Sequence, residues 1–377
     1  MVPLLLLILL IPSQLSLHLW PSWSLINGIR VDYLSPTLYL TDLIIVGLFL
    51  TSRFRIRIPL FVIIFVVLNI LIARYTISSS PLVSLYKWLR VYEYFWLLKY
   101  LALKIDWKSK LVNWSFTLAI IWTAFLTWAQ FLRQSSVGGL WYWLGERSFN
   151  ISTPGIAKIF IPNLGLVLRP YATLPHPNAL AGFLLMTSLI LYSLRRNHPS
   201  RFLDISLFVS LLTLPLTFSR SALLVEISLI IFWLIKKLNK LFLVLFIVPL
   251  ILYFYLPSSP NSIPERILLN QQAFATIKQF PIFGIGLGNS VSLLPSLRQP
   301  VHNIYLLLAS ELGLPAVLII GYCVFKICLR FRNSILEIPL LVVLATGLVD
   351  HYWLTLHSTT LLLVVLLSLI KVKSADV

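Results

Sequence analysis

Apolar stretches long enough to cross a bilayer recur along the whole chain. Twelve are marked, at roughly 2–20, 36–51, 58–73, 82–103, 112–132, 178–194, 202–218, 221–235, 241–256, 302–325, 335–352 and 356–370. At 1.5 Å rise per residue, about 20 apolar residues cover the hydrocarbon core. Only helices and closed barrels satisfy their backbone in lipid, and the strand alternation of a barrel is missing. The reading is an all-α polytopic membrane protein with about twelve transmembrane helices. Composition agrees: 59% of the 377 residues are hydrophobic and 11% charged, with mean hydropathy +0.91. The opening run "MVPLLLLILLIPSQLSLHLW" lacks a basic leader and reads as a retained first helix. The two cysteines, Cys323 and Cys328, define no disulfide framework.

A net charge of +18 in a soluble protein would point to nucleic acid. Here no basic domain interleaved with aromatics is present, so no nucleic-acid partner is expected. The charge sorts by loop instead. One set of connections holds Arg53, Arg55, Arg57, Lys104, Lys108, Lys110, Arg195, Arg196, Arg201, Lys236, Lys237 and Lys240, with further basic residues near 326–332 and 371–373. The other set is poorer. Basic residues gather in cytoplasmic loops, so both termini are expected inside. Two long loops, 133–177 and 257–301, then lie outside. Their aromatics, Trp141, Trp143, Phe160, Phe274 and Phe283 among them, argue for a structured extracytoplasmic cap rather than disorder. Residues 264–280, "PERILLNQQAFATIKQF", read as an amphipathic helix within it.

Four motifs lie on that outer side. In "LRPYATLPHPNALAG" Pro177 suits the first turn of a helix with His176 before it. This is a packed helix start or, with Arg169 and Asn178 near a helix N-terminus, an anion site. In "LTFSRSALL" Arg220 either snorkels or offers a planar fork that suits phosphate. "FPIFGIGLGNS" lacks the lysine and hydroxyl of a phosphate loop and reads as a turn. In "QPVHNIYLLLASELGLP" His302 and Asn303 open a long run, and eleven helical steps put Gly313 on the face of His302, with Glu311 opposite. The glutamate reads as a buried helix–helix hydrogen bond. In 82–103, Lys87 and Arg90 form either a charge ladder with Glu93 or a cationic wall. Asp350, His351 and His357 match no metal spacing, and no metal or other cofactor is expected.

In that order and at those topological positions, "RPYATLPHPNALAG", "TFSRSALL", "PIFGIGLGN" and "VHNIYLLLASELGLP" resemble the O-antigen ligase and O-antigen polymerase superfamily. His302, Asn303 and Gly313 fit the ligase pattern, while its last position is Ala316 here, a departure from the ligase subtype. The resemblance implies a C-type glycosyltransferase fold. It divides the chain into N-terminal transmembrane helices at 1–132 and a ligase-like catalytic region at 133–377. It implies a metal-independent, inverting transfer from a polyprenyl-pyrophosphate-linked glycan to a hydroxyl on a glycan, lipid or protein acceptor. The place implied is the outer side of a bacterial cytoplasmic membrane, among membrane lipids. His302 would be the catalytic base. Arg220, Arg169, Arg266, His176, Asn178, Asn303, Lys87 and Arg90 would bind substrate. A polysaccharide polymerase of the same superfamily is the nearest alternative. A twelve-span transporter is the alternative from another class, though no repeated halves are visible.

Overall fold

Within the described residues the apolar runs fold largely as helices. The computed structural model describes residues 2–75, 79–107, 109–161, 163–197, 200–235, 262–331 and 336–372. The ninth run, 241–256, and the basic loop 236–240 lie outside the described residues. From the N-terminus the helices are α1 (Val2–Leu9), α2 (Leu40–Thr51), α3 (Leu60–Ile72), α4 (Pro81–Lys104), α5 (Lys110–Arg133), α6 (Pro177–Asn197), α7 (Arg201–Thr213) and α8 (Arg220–Ile235). Beyond them come Ser262–Gln279, Ile304–Leu312, Leu314–Arg330, Glu337–Thr346, the single turn Tyr352–Thr355, and His357–Val372. Prolines mark several starts, where a missing N–H costs nothing: Pro81 and Pro177 each open a helix.

Two helices among the described residues, Lys110–Arg133 and Pro177–Arg195, are long and apolar enough to cross a membrane. Leu40–Thr51, Leu60–Ile72, Glu337–Thr346 and His357–Leu369 are shorter apolar helices. α4 has the length, but Lys87, Arg90, Glu93 and Lys99 interrupt its apolar character. α3 buries only Asn69, and Leu314–Arg330 buries no side chain, so both turn apolar residues such as Phe61, Ile64, Leu318 and Phe325 outward.

Three runs differ from the expected continuous spans. The first helix stops at Leu9. Pro12 follows, and the chain turns into a strand, Ser16–His18, paired antiparallel with Thr37–Tyr39. Between them a two-residue turn, Asn27-Gly28, joins Leu25–Ile26 to Ile29–Arg30. Both turn residues have positive φ, as a tight hairpin of right-twisted strands requires. The run 302–325 is cut at Gly313, whose φ is +84°. His302 precedes the helix start, so it and Gly313 do not share a helical face. The run 335–352 leaves helix at Thr346, which frees residues 347–351 to form a loop.

The break at Gly313 has a packing cause. Gly313 and Gly284 lie at a crossing of two backbones. A Cβ on Gly284 would sit 2.4 Å from the Glu311 carbonyl carbon, and one on Gly313 would sit 2.2 Å from the Ile282 oxygen. Ile285 N donates to Ser310 O and Leu314 N to Pro281 O across the crossing. Asn69 of α3 pins it, donating to Phe283 O and Glu311 O while accepting from Leu287 N and Trp88 Nε1. The Glu311 carboxylate closes the glycine turn. Its oxygens accept from Gly288 N at 2.8 Å, Ser290 N at 3.1 Å and the Tyr33 hydroxyl at 3.1 Å. Glu311 is therefore buried as expected, but it ties a turn and the N-terminal segment rather than two helices.

The largest apolar core joins α1, α4, α5, α6 and the last helix, with Trp96, Phe116, Phe183 and Trp353 fully buried. Gly182 in α6 lets Tyr352 lie against the helix, since a Cβ there would meet its ring at 2.5 Å. That contact fixes the loop carrying residues 350 and 351.

Candidate functional site

One cavity of about 810 Å³ opens among α4, the start of α6, the segment before Ile304 and the loop after Thr346. Its wall draws on both halves of the chain. His176, Asn178, His302, Asp350 and His351 line one part, and Lys87, Arg90, Tyr94 and His357 another.

The first part is a relay of polar contacts. His302 stands just ahead of its helix, and its Nδ1 is 3.6 Å from Asp350 Oδ1. That nitrogen is buried and has no hydrogen-bond partner. Nε2 has only a 3.4 Å contact with Gln299 Oε1. Asp350 is 6% exposed. Its Oδ1 accepts from His351 N at 2.8 Å and its Oδ2 from Asn178 Nδ2 at 3.0 Å. Asn178 in turn accepts from Arg169 Nη2 at 2.8 Å, and Arg169 Nε donates to Thr217 O at 2.8 Å. Thr217 ends the turn after α7, and Arg220 begins α8 three residues later. Arg266, reaching over from Ser262–Gln279, donates to Val349 O at 2.5 Å and so holds the backbone beside Asp350. His176 accepts from Asn178 N at 3.1 Å at the mouth of α6.

The electrostatics follow from this crowding. Burial alone pushes the Asp350 carboxyl up, but His302, His351 and Arg266 around it hold it well below the usual carboxylate range. His351 is pushed down to about 3, by burial first and then by the charge of His302. Burial brings Arg169 down to about 10, and nearby Arg220 adds to the effect. An ionised carboxylate thus faces an imidazole nitrogen with no other partner. That arrangement orients a base and stabilises the imidazolium formed when it takes a proton. Arg266 and Arg169 stand near the carboxylate, and Arg220 lies near Arg169.

The second part is built differently. Arg90 donates from Nε to Tyr86 OH, from Nη1 to Glu93 at 2.8 Å and from Nη2 to Thr37 O at 2.5 Å. Its Nη1 also lies 2.7 Å from Asp42. His357 uses both ring nitrogens, on Thr41 Oγ1 at 2.6 Å and Tyr94 OH at 2.7 Å, and stacks on Tyr39. Lys87 places its ammonium 4.2 Å above the Tyr33 ring.

The expected site residues therefore divide. His302, His176, Asn178, Arg169 and Arg266 meet around Asp350, with Arg220 close to Arg169. Lys87 lines the same cavity. Arg90 lines the cavity too, with its guanidinium bonded within the protein, and the Asn303 side chain serves its own helix. Asn303 caps its helix by accepting from Tyr305 N and Leu306 N, and its amide donates to Leu348 O. The sequence reading set aside Asp350, His351 and His357 together, and the structure separates them. Asp350 and His351 join His302, while His357 belongs to the Arg90 cluster. The signal for the first two was three polar residues, "DHY", at the end of an apolar run.

Residues 205–321 match the family model described as O-antigen ligase. The matched segment runs from α7 through Arg220, Arg266 and His302 to Gly321, and leaves out Asn178 and Asp350. No curated protein matches the chain.

Proposed function

We propose that this chain, a member of the O-antigen ligase superfamily over residues 205–321, is a polytopic glycosyltransferase of the bacterial cytoplasmic membrane. It moves a glycan from a polyprenyl pyrophosphate to an acceptor hydroxyl on the outer side. The observation that carries the reading is the pairing of His302 with Asp350 on the cavity wall, with Arg266 and Arg169 near the carboxylate and Arg220 near Arg169. His302 takes the proton from the acceptor hydroxyl. The freed oxygen attacks the anomeric carbon from the face opposite the pyrophosphate and forms the new glycosidic bond. The bond to the pyrophosphate breaks with its electron pair on the leaving group. One displacement inverts the anomeric centre. The arginines meet the charge that develops on the leaving oxygens, where fixed donors count most. No metal step is needed, because the guanidiniums supply the positive charge.

Asp350 faces the His302 ring at 3.6 Å, and Asn178 links that carboxylate to Arg169 by hydrogen bonds, so the base and the phosphate site share one carboxylate. His176 and Lys87 face the same space and contact the glycan or the acceptor. The region from residue 133 onward carries the chemistry, and α4 of the first 132 residues contributes a wall. About twelve spans with both termini inside place the cavity outside. The outward apolar faces of α3 and Leu314–Arg330 support contact with lipid.

One observation favours a polymerase, which extends repeat units, over a ligase: Ala316 stands where the ligase pattern has Gly, Thr or Tyr. The deciding experiment is transfer in proteoliposomes holding a lipid-linked glycan, with a finished-core acceptor in one arm and a second lipid-linked repeat in the other. Product in either arm supports the reaction and names the subtype. Protein that is inserted and folded yet gives no product in either arm, or needs a divalent ion for it, overturns the corresponding part of the proposal.

A further inference from the structure

His302, Asp350 and His351 offer three donor atoms that all lie within 4.8 Å of one another. The His302 nitrogen nearest Asp350 is the buried one without a hydrogen bond. His351 Nδ1 is engaged with Thr355 Oγ1 at 2.6 Å, which leaves its other nitrogen as the donor. The two imidazole rings stand 4.8 Å apart between centroids. In tetrahedral coordination with bonds near 2.0–2.1 Å, donors lie roughly 3.4 Å apart. The His302–Asp350 separation of 3.6 Å already approaches this, and a small rotation of His351 completes three corners. The fourth corner opens on the cavity that all three residues line.

We propose that these three residues form an inhibitory site for a borderline transition-metal dication such as Zn²⁺. Two imidazoles and one carboxylate suit zinc, cobalt or nickel and not magnesium or calcium, which prefer all-oxygen shells. Asn178, which donates to Asp350, is the kind of outer partner that orients a ligating carboxylate. The inhibition rests on the function proposed above: with Nδ1 of His302 on a metal, the neutral ring carries its proton on Nε2 and has no lone pair left to take one from an acceptor. The site carries one anionic ligand, with Arg266 and Arg169 nearby, so binding is reversible and chelators release the ion.

The test is direct metal binding by the purified full chain in detergent, which does not depend on transfer. Co²⁺ is titrated and its visible d–d bands followed, and Zn²⁺ affinity is read by competition with a chromophoric chelator. One ion per chain with tetrahedral bands is expected. Affinity should fall about tenfold or more in His351→Gln, by analogy with the loss seen for weaker outer-shell changes. It should stay unchanged in His176→Gln, a histidine of the same cavity outside the triplet. Mg²⁺ should not compete. In the transfer assay, micromolar Zn²⁺ should stop the wild type and spare His351→Gln. No binding, binding equal in both histidine variants, or activation by zinc would each overturn the site. Binding as described without any transferase activity would keep the metal site and sink the catalytic reading instead.

Discussion

Two clusters of ionisable side chains line one cavity, and the histidine of each is bonded differently. Around Arg90, the guanidinium meets Tyr86, Glu93, Asp42 and Thr37, and His357 has a bond on each nitrogen. Around Asp350, the carboxylate is fully held, but His302 presents one nitrogen with no bond and another with a contact of 3.4 Å. A buried polar atom without a partner costs stability, on the order of 1–3 kcal/mol. The fold tolerates that at His302 and not at His357. The same side chain thus has both nitrogens bonded in one place and one left open in the other, while in the Arg90 cluster the buried atoms without a hydrogen bond are carboxylate oxygens of Asp42 and Glu93 beside the guanidinium.

The comparison is broken most sharply at its reactive end. His302→Gln keeps size and polarity but cannot take a proton, so transfer should fall by about 10²–10⁴-fold with folding intact. Near-normal transfer in that variant, measured in proteoliposomes, would make both histidines structural. At the other end, Arg90→Met should leave the Asp42 and Glu93 carboxylates buried together and cost about 3–5 kcal/mol. The readout is a large drop in thermal midpoint in detergent. A protein that keeps its midpoint but loses transfer would move Arg90 to the reactive cluster.

Arg220→Lys retains charge and loses the planar fork, so it should weaken transfer with little change in stability. Full activity there would reduce Arg220 to a helix start. The smallest effect is one of pH. The His351 pKa falls from 6.5 to about 3 in the folded protein, so the unfolded chain binds the extra proton first. Stability from this residue is present above about 6.5 and is lost as the pH falls toward 3. Hydrogen-exchange protection factors of the loop 347–351, corrected for the intrinsic slowing of amide exchange in acid, should therefore fall on acidification, and the slope should shrink in His351→Gln. An unchanged slope would mean that burial of His351 is not what resists the proton.

Much of this could be read from the chain. Pro177 and the order of the outer motifs marked the helix start and the arginine turn, because those signals are local. The structured parts of the two long connections, 133–161 and 262–301, stood out by their aromatics. What escaped was set by contact between distant segments. Gly313 lies inside an apolar run that looks like continuous helix, and only the Ile282–Phe283 backbone explains why the helix stops there. Asp350 and His351 have no motif spacing, because their partner His302 arrives from another helix and Tyr352 packing on Gly182 holds them in place. Asn303 looked like a substrate contact by its neighbour, yet its side chain closes the first turn of its own helix. The first apolar run misled by composition alone, since nothing in its hydropathy separates a short helix followed by a strand from one long helix.

The crossing of Gly284 and Gly313 has a consequence for how such a protein diversifies. The two backbones touch at the base of the segment between them, so its ends are clamped whatever its middle contains. For a segment clamped in this way, doubling the length of a flexible tip costs only about 0.6 kcal/mol of chain entropy. Pro295 and Ser296 at its tip are exposed and can vary, whereas Val291, Leu294 and Leu297 pack against buried residues beneath them. Variation of that arch is therefore confined to its tip, while the two glycines themselves tolerate no side chain.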